Sequence, residues 1–261
     1  MKLGAQLFSV RNYLNTQENT KMLFRACREM GYENLQYSGH PIATADDARF
    51  LRDAADEAGL PIVVATFSYE QLTKETALVA QCMKILGAES VMVGITPREF
   101  RGELSLVARF RESMERPTQV LLDAGFRIAY HNHDYEFRPI IGGTTMMDYY
   151  LEHSPDWLFL LDVCWAQHAG TDPAALMDSI GAHRLRHVHF KDMNGVNEKG
   201  VPVFCPCGSG SMVLAPLAEK CAQMGVSDIL VEQDNAAALP DPLGEMAQSC
   251  KYLSNLLGKE H

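Results

Sequence analysis

The chain has 261 residues, 47% hydrophobic and 21% charged, a balance that excludes a disordered chain and leaves room for a sizeable core. Its formal charge of −10, with no run of clustered Lys or Arg to override it, argues against nucleic acid as a partner. The opening MKLGAQLFSV is too short and too interrupted by Gln6 and Ser9 for a membrane span or a secretion signal, so no membrane partner and a cytoplasmic location are expected.

Short apolar strands alternate with amphipathic helices along the whole sequence. In chain order, strands are expected near residues 2 to 8, 33 to 37, 61 to 67, 90 to 95, 126 to 131, 157 to 163, 185 to 190 and 228 to 232. Helices are expected near 18 to 30, 44 to 58, 72 to 86, 103 to 124, 144 to 153, 172 to 181, 211 to 224 and 240 to 257. At five joints a Gly follows the helix just ahead of the next strand: Gly31, Gly59, Gly87, Gly125 and Gly225. Glycine takes the left-handed conformation that ends a helix, so each joint reads as a C-cap feeding a strand. Thr44 ahead of Asp47 is capping-box-like, and Thr171-Asp172-Pro173 places a cap and a Pro at a helix start.

IVVA and VMVG are apolar without alternation, as in parallel strands covered on both faces. Eight such units, with no G-x-G-x-x-G after the first strand, predict a closed (β/α)₈ TIM barrel spanning 1–261 as one domain, close to the roughly 250 residues usual for that fold. Residues 192 to 210 are expected to be irregular loop after strand seven, where barrel enzymes place active-site elements. Arg98, Arg101, Arg109 and Arg111 read as a solvated face. The seven cysteines, an odd number scattered through helices and strands, read as reduced thiols, and Cys205-Pro206-Cys207 alone is a weak metal signal.

In this fold the active site lies where the strands end. Strand five ends in His131-Asn132-His133-Asp134-Tyr135-Glu136, strand six in Asp162, strand seven reads His187-Val188-His189-Phe190-Lys191-Asp192, and strand eight ends in Glu232-Gln233-Asp234. Strand one brings Gln6, Ser9 and Arg11, and strand two Gln36, Tyr37 and His40. Carboxylates and imidazoles converging at one barrel end need a cation to organise them. Mixed nitrogen and oxygen donors suit Mn²⁺, Zn²⁺, Co²⁺ or Fe²⁺ better than Ca²⁺. By alternation His187 and His189 share a face, as do His131 and His133.

The stretches HNHDYEF (131 to 137), LDVCWAQHAGTDP (161 to 173), HVHFKD (187 to 192), CGSGSMV (207 to 213) and ILVEQD (229 to 234) resemble the xylose isomerase-like TIM barrels. That superfamily includes sugar epimerases, inosose dehydratase, hydroxypyruvate isomerase and endonuclease IV, and the stretches look most like its sugar phosphate isomerase/epimerase group. The resemblance implies one divalent metal, Mn²⁺ or Zn²⁺ first and Mg²⁺, Co²⁺ or Fe²⁺ otherwise, held by one residue from each of strands five to eight. Asp162, His189 and Glu232 match three of those positions directly. The first departs: where many members read Glu-Asn-His this chain reads His131-Asn132-His133, which puts His131 on the ligand position with Glu136 as a competitor. Gly208-Ser209-Gly210 replaces a frequent Gly-Glu-Gly, and Gln36 stands where relatives often have Glu.

The resemblance further implies a sugar isomerase or epimerase that moves a proton next to a carbonyl of a keto-sugar or polyol through an enediolate. Glu232, His133, Glu136 and Lys191 are then the catalytic candidates, and Gln6, Tyr37, His40, His168 and Lys191 the substrate-binding ones. A homo-oligomer is compatible with this reading. β-Elimination on a keto-sugar or inosose is the alternative, since a His/Glu pair also protonates a leaving oxygen. A non-catalytic sugar-binding barrel and an endonuclease are further rivals, the latter opposed by the acidic charge. Plainer roles compete as well: Asp162 as a helix cap, His187 as a core histidine, and Trp165, Phe67 and Tyr37 as packing.

Overall fold

The unbroken apolar runs do become parallel strands buried on both sides. In the computed structural model, which describes residues 1–259, the strands are β1 (Lys2–Gln6), β2 (Asn34–Tyr37), β3 (Ile62–Phe67), β4 (Ser90–Val93), β5 (Arg127–His131), β6 (Leu158–Asp162), β7 (Leu185–Phe190), β8 (Asp192–Val196), β9 (Pro202–Cys205) and β10 (Asp228–Val231). Eight of them close into a barrel in the order β1-β10-β7-β6-β5-β4-β3-β2, every neighbour parallel, so β10 is the eighth barrel strand. β8 and β9 form a separate antiparallel hairpin.

All five joint glycines take positive φ, from 66° at Gly59 to 102° at Gly31. The Thr44–Asp47 capping box forms reciprocally, and Asp172 caps the helix that Pro173 begins. No helix among the described residues is long and apolar enough to cross a membrane. The seven cysteines are all free thiols.

Several boundaries differ from the sequence expectation. β1 stops at Gln6, because the Gln6 side chain accepts from Phe8 N and turns residues 7 to 13 into a 3₁₀ segment. β10 ends at Val231, one residue short of Glu232. The helix expected at 72 to 86 begins earlier, capped by Ser68, and breaks into Tyr69–Lys74 and Thr76–Leu86. That expected at 103 to 124 divides into Leu104–Ser113 and Glu115–Asp123. Residues 192 to 205 are not irregular but carry the hairpin.

Two apolar layers result. The larger packs the helices against the outer face of the strands, and a smaller cluster containing Val64, Met92, Ala129, Leu160 and Leu230 fills the barrel interior. Below that plug lies a polar floor: Ser90 Oγ is 3.1 Å from His187 Nε2, His187 Nδ1 is 2.9 Å from Asp228 Oδ2, and Asn34 donates to Asp228. His187 therefore belongs to the floor, two residues below the mouth that His189 reaches. The plug separates the two polar regions, and the remaining inward polar groups gather at the C-terminal ends of the strands.

Candidate metal centre and active site

Alternation along β7 and one residue past it aims His187, His189 and Lys191 into the barrel at rising heights, and the same rule brings His131 from β5, Asp162 from β6 and Glu232 from just past β10 to one point. One donor atom from each of His131, Asp162, His189 and Glu232 lies within 4.8 Å of the others. None is more than 5% exposed.

The donor atoms are prepared rather than spent. Asp162 Oδ1 accepts from Trp165 N at 2.9 Å and caps the helix Val163–His168. Its Oδ2 has no hydrogen-bond partner, so the cap engages one oxygen and leaves the other available as a ligand. Asn132 fixes the same backbone, accepting from Asp162 N at 2.9 Å. His189 Nε2 lies 2.6 Å from Gln36 Oε1 while its Nδ1 faces Glu232 Oε2 at 2.9 Å and Asp162 Oδ2 at 3.8 Å. His131 Nδ1, His189 Nδ1, Asp162 Oδ2 and Glu232 Oε2 are all buried without a hydrogen-bond partner. Such atoms are costly unless a cation satisfies them, and two imidazoles with two carboxylates form a donor set suited to a borderline divalent ion. The residues fit a metal.

Electrostatics agree with the geometry. Burial by itself raises the Asp162 carboxyl, but Lys191 and the neighbouring histidines override it and hold the group down to about 2. Glu232 is likewise held below the usual carboxylate range, against its burial, by Lys191 and His189. Both are anions at neutral pH. Burial and the adjacent His189 push His131 well below the ordinary imidazole value, leaving a neutral nitrogen donor. His189 moves the other way, its burial outweighed by Glu232 and Asp162.

Lys191, buried just past the end of β7, completes the centre with its ammonium 2.8 Å from Glu232 Oε2 and 3.0 Å from Asp162 Oδ2. His133 sits beside the cluster, its ring centroid 4.8 Å from that of His131, stacked on Tyr135 at 5.6 Å. Burial, helped by Lys191, lowers it to about 4. Trp165 lies over the mouth, with Lys191 Nζ 5.7 Å from its ring centroid, Phe204 edge-on at 5.3 Å and His168 at 5.8 Å. Phe204 arrives on the β8–β9 hairpin, which is how that segment joins the site.

Other candidates lie elsewhere. Glu136 is buried in the layer outside the strands, where Tyr130 Oη and His133 N each donate to it at 2.8 Å. Gln6 is buried at the mouth, paired in register with Gln36, but its oxygen serves Phe8 N. Tyr37 points away from the barrel axis, since Gln36 points in; with His40 it lines a cleft of about 390 Å³ that also includes Leu14 and Phe50. Arg101 is not part of a solvated face: it donates to Thr96 O at 2.7 Å and its guanidinium covers Tyr135 at 3.7 Å.

Three residues visible at the strand ends in the sequence carry contacts that the sequence did not assign to them. Gln36 orients His189, and Asp234 Oδ1 accepts from Lys191 at 2.9 Å. Asp192 accepts from the backbone N–H groups of Met193, Gly208, Gly210 and Met212 at 2.8 to 3.0 Å, folding the glycine turn onto the end of β7. The signal for Gln36 and Asp234 was parity, each standing two residues from an inward-facing position.

A family model described as Xylose isomerase-like TIM barrel matches residues 24–256. Among solved structures the chain is similar to a sugar phosphate isomerase/epimerase from Parabacteroides distasonis ATCC 8503, at 20% identity over 97% of this chain and 93% of that one, TM-score 0.76. It is also similar to a probable 3-DHS dehydratase from Bacillus anthracis (12%, covering 98% and 99%, TM-score 0.71) and to a 3-keto-D-glucoside 4-epimerase from E. coli (17%, covering 98% and 99%, TM-score 0.69). At these identities the likeness concerns the fold. No curated protein matches significantly.

Proposed function

The chain belongs to the xylose isomerase-like TIM barrel family, and from that premise we propose that it is a divalent-metal-dependent isomerase or epimerase that moves a proton next to a carbonyl of a keto-sugar or polyol. The observation that carries this reading is the convergence of His131, Asp162, His189 and Glu232, with unpartnered donor atoms, around a buried ammonium at the barrel mouth. Epimerases among the structural neighbours support it.

His131 Nδ1, Asp162 Oδ2, His189 Nδ1 and a Glu232 oxygen would hold the ion. Bound there, a divalent ion acidifies the C–H beside a chelated carbonyl. Glu232 is the base on one side, kept ionised by Lys191 and His189 until it takes the proton. His133, kept neutral on the strand-five side, exchanges a proton from the other direction, and Lys191 donates to the oxygen where charge develops. Trp165 and Phe204 shield the mouth and offer apolar faces to a sugar ring.

Elimination is the second reading. Lys191 Nζ lies 2.8 Å from Glu232, so a base and an acid stand on the same side, an arrangement that suits a syn loss of water β to a carbonyl.

Incubating the metal-loaded protein with candidate ketoses in D₂O and following the C–H signals by NMR tests both. Exchange that Glu232→Gln abolishes supports proton transfer, and an unsaturated product selects elimination. Neither outcome with any ketose would sink the enzymatic reading in favour of a binding module. If Asp162→Ala or His189→Ala binds Mn²⁺ or Zn²⁺ as well as the parent, the metal assignment is wrong.

A further inference from the structure

The three carboxylates around the Lys191 ammonium are close to equidistant, yet they are not equivalent. Asp234 Oδ1, at 2.9 Å, receives its hydrogen bond. Asp162 Oδ2 at 3.0 Å and Glu232 Oε2 at 2.8 Å lie within ion-pair distance but off the line of good donor geometry, and neither has a hydrogen-bond partner. The ammonium is thus secured from the one side that is not a candidate metal ligand. Asp234 is itself well placed for this, because Arg11 Nη1 donates to its backbone carbonyl at 3.3 Å and its side chain is one-quarter exposed.

Charge points the same way. Asp162, Glu232 and Asp234 carry three negative charges and Lys191 one positive; with His131 and His189 in the neutral form that ligates a cation, the remainder is two negative charges, the complement of one divalent cation. An ammonium and a divalent ion would compete for Asp162 Oδ2 and Glu232 Oε2 and repel each other across the short gap.

We infer that Asp234 is a positioning residue: it holds the Lys191 ammonium to one side of the cluster, so that Asp162 and Glu232 remain available to a divalent cation while Lys191 still faces the substrate. The inference rests on the reading of the cluster as a metal site. Without Asp234 the ammonium settles onto the two ligand carboxylates, and an incoming cation has to displace it.

The test is Mn²⁺ affinity, measured by competition with a fluorescent chelator at fixed pH, for the parent, Asp234→Asn, Asp234→Glu, Lys191→Met and the Lys191→Met/Asp234→Asn double variant. Asp234→Asn should weaken binding about tenfold in the parent but less than about threefold in the Lys191→Met background, because coupled neighbours are not additive. Lys191→Met should bind more tightly than the parent, and Asp234→Glu should bind like it. An equal loss in both backgrounds overturns the inference, since Asp234 would then act on the metal directly, as does a Lys191→Met protein that binds no tighter. Circular dichroism checks each fold, and Lys191→Gln replaces Lys191→Met if the latter fails to fold. A parent that binds no Mn²⁺ overturns the inference together with the metal reading. Absent deuterium exchange with the affinity pattern intact overturns only the proposed reaction.

Discussion

Gln36 Oε1 and His189 Nε2 lie 2.6 Å apart, joining β2 to β7 across the mouth of the barrel. The Gln36 amide nitrogen lies against Met92 Sδ, which accepts weakly and cannot donate, so the amide oxygen is the atom that meets the imidazole. Nε2 then carries a proton, which leaves Nδ1, on the side of Asp162 and Glu232, as the nitrogen that would ligate a cation. Replacing Gln36 with Leu removes the acceptor that fixes this tautomer and ring angle, and Mn²⁺ or Zn²⁺ affinity should fall by about 10- to 100-fold. Competitive chelator titration reads the change. Affinity equal to the parent would show that packing alone orients His189.

Glu136 predicts a pH dependence of stability that is independent of any metal. Burial pushes its carboxyl up from 4.5 to about 7, against hydrogen bonds from His133 N and Tyr130 that oppose the rise. A folded value above the unfolded one means that the native state binds the extra proton. The stabilisation is full below about 4.5 and is lost as pH rises through about 7. Urea unfolding at pH 5 and pH 8.5 should show Glu136→Gln gaining on the parent at the higher pH by about 1–3 kcal/mol. An offset between the two proteins that is the same at both pH values would rule Glu136 out as the source.

Asp192 and Gly210 predict a local effect on the hairpin. Four backbone N–H groups converge on the Asp192 carboxylate, and a Cβ at Gly210 would lie 2.2 Å from Asp192 Oδ1 and 2.5 Å from Met193 O. Gly210→Ala should therefore destabilise the chain by about 1–3 kcal/mol, because it opens hydrogen bonds to a charged acceptor. Limited proteolysis should cut between residues 192 and 212 faster than in the parent, since these bonds hold the glycine turn that follows the hairpin against its first strand. A parent-like digestion pattern would show that the turn is held by other contacts.

Much of this molecule was legible as one-dimensional pattern. The helix-Gly-strand joints marked Gly31, Gly59, Gly87, Gly125 and Gly225, and each takes positive φ, because the requirement for a residue without Cβ is local. The apolar runs identified parallel strands, since burial on both faces removes alternation. Strand-end acids and imidazoles located the mouth, and residue parity kept His189 with it. Boundaries were less legible: β1 ends at Gln6 because a side chain competes for Phe8 N, and the two long helices break at Glu75, whose backbone leaves the helical region, and at Met114, three residues ahead of Pro117, which has no N–H to continue the ladder.

What the sequence by itself determined is the barrel and the identity of the groups at its C-terminal end, because both follow from periodicity and from where strands stop. Only the tertiary structure decided which of those groups meet. His131 reaches the cluster while Glu136, five residues on, turns into the outer layer to meet Tyr130. Gln36 crosses the barrel to His189, and Lys191 is held by Asp234. These contacts join residues up to 153 positions apart in sequence. Local propensity carries no information about such distances; closure of the sheet, with its register, brings the partners together.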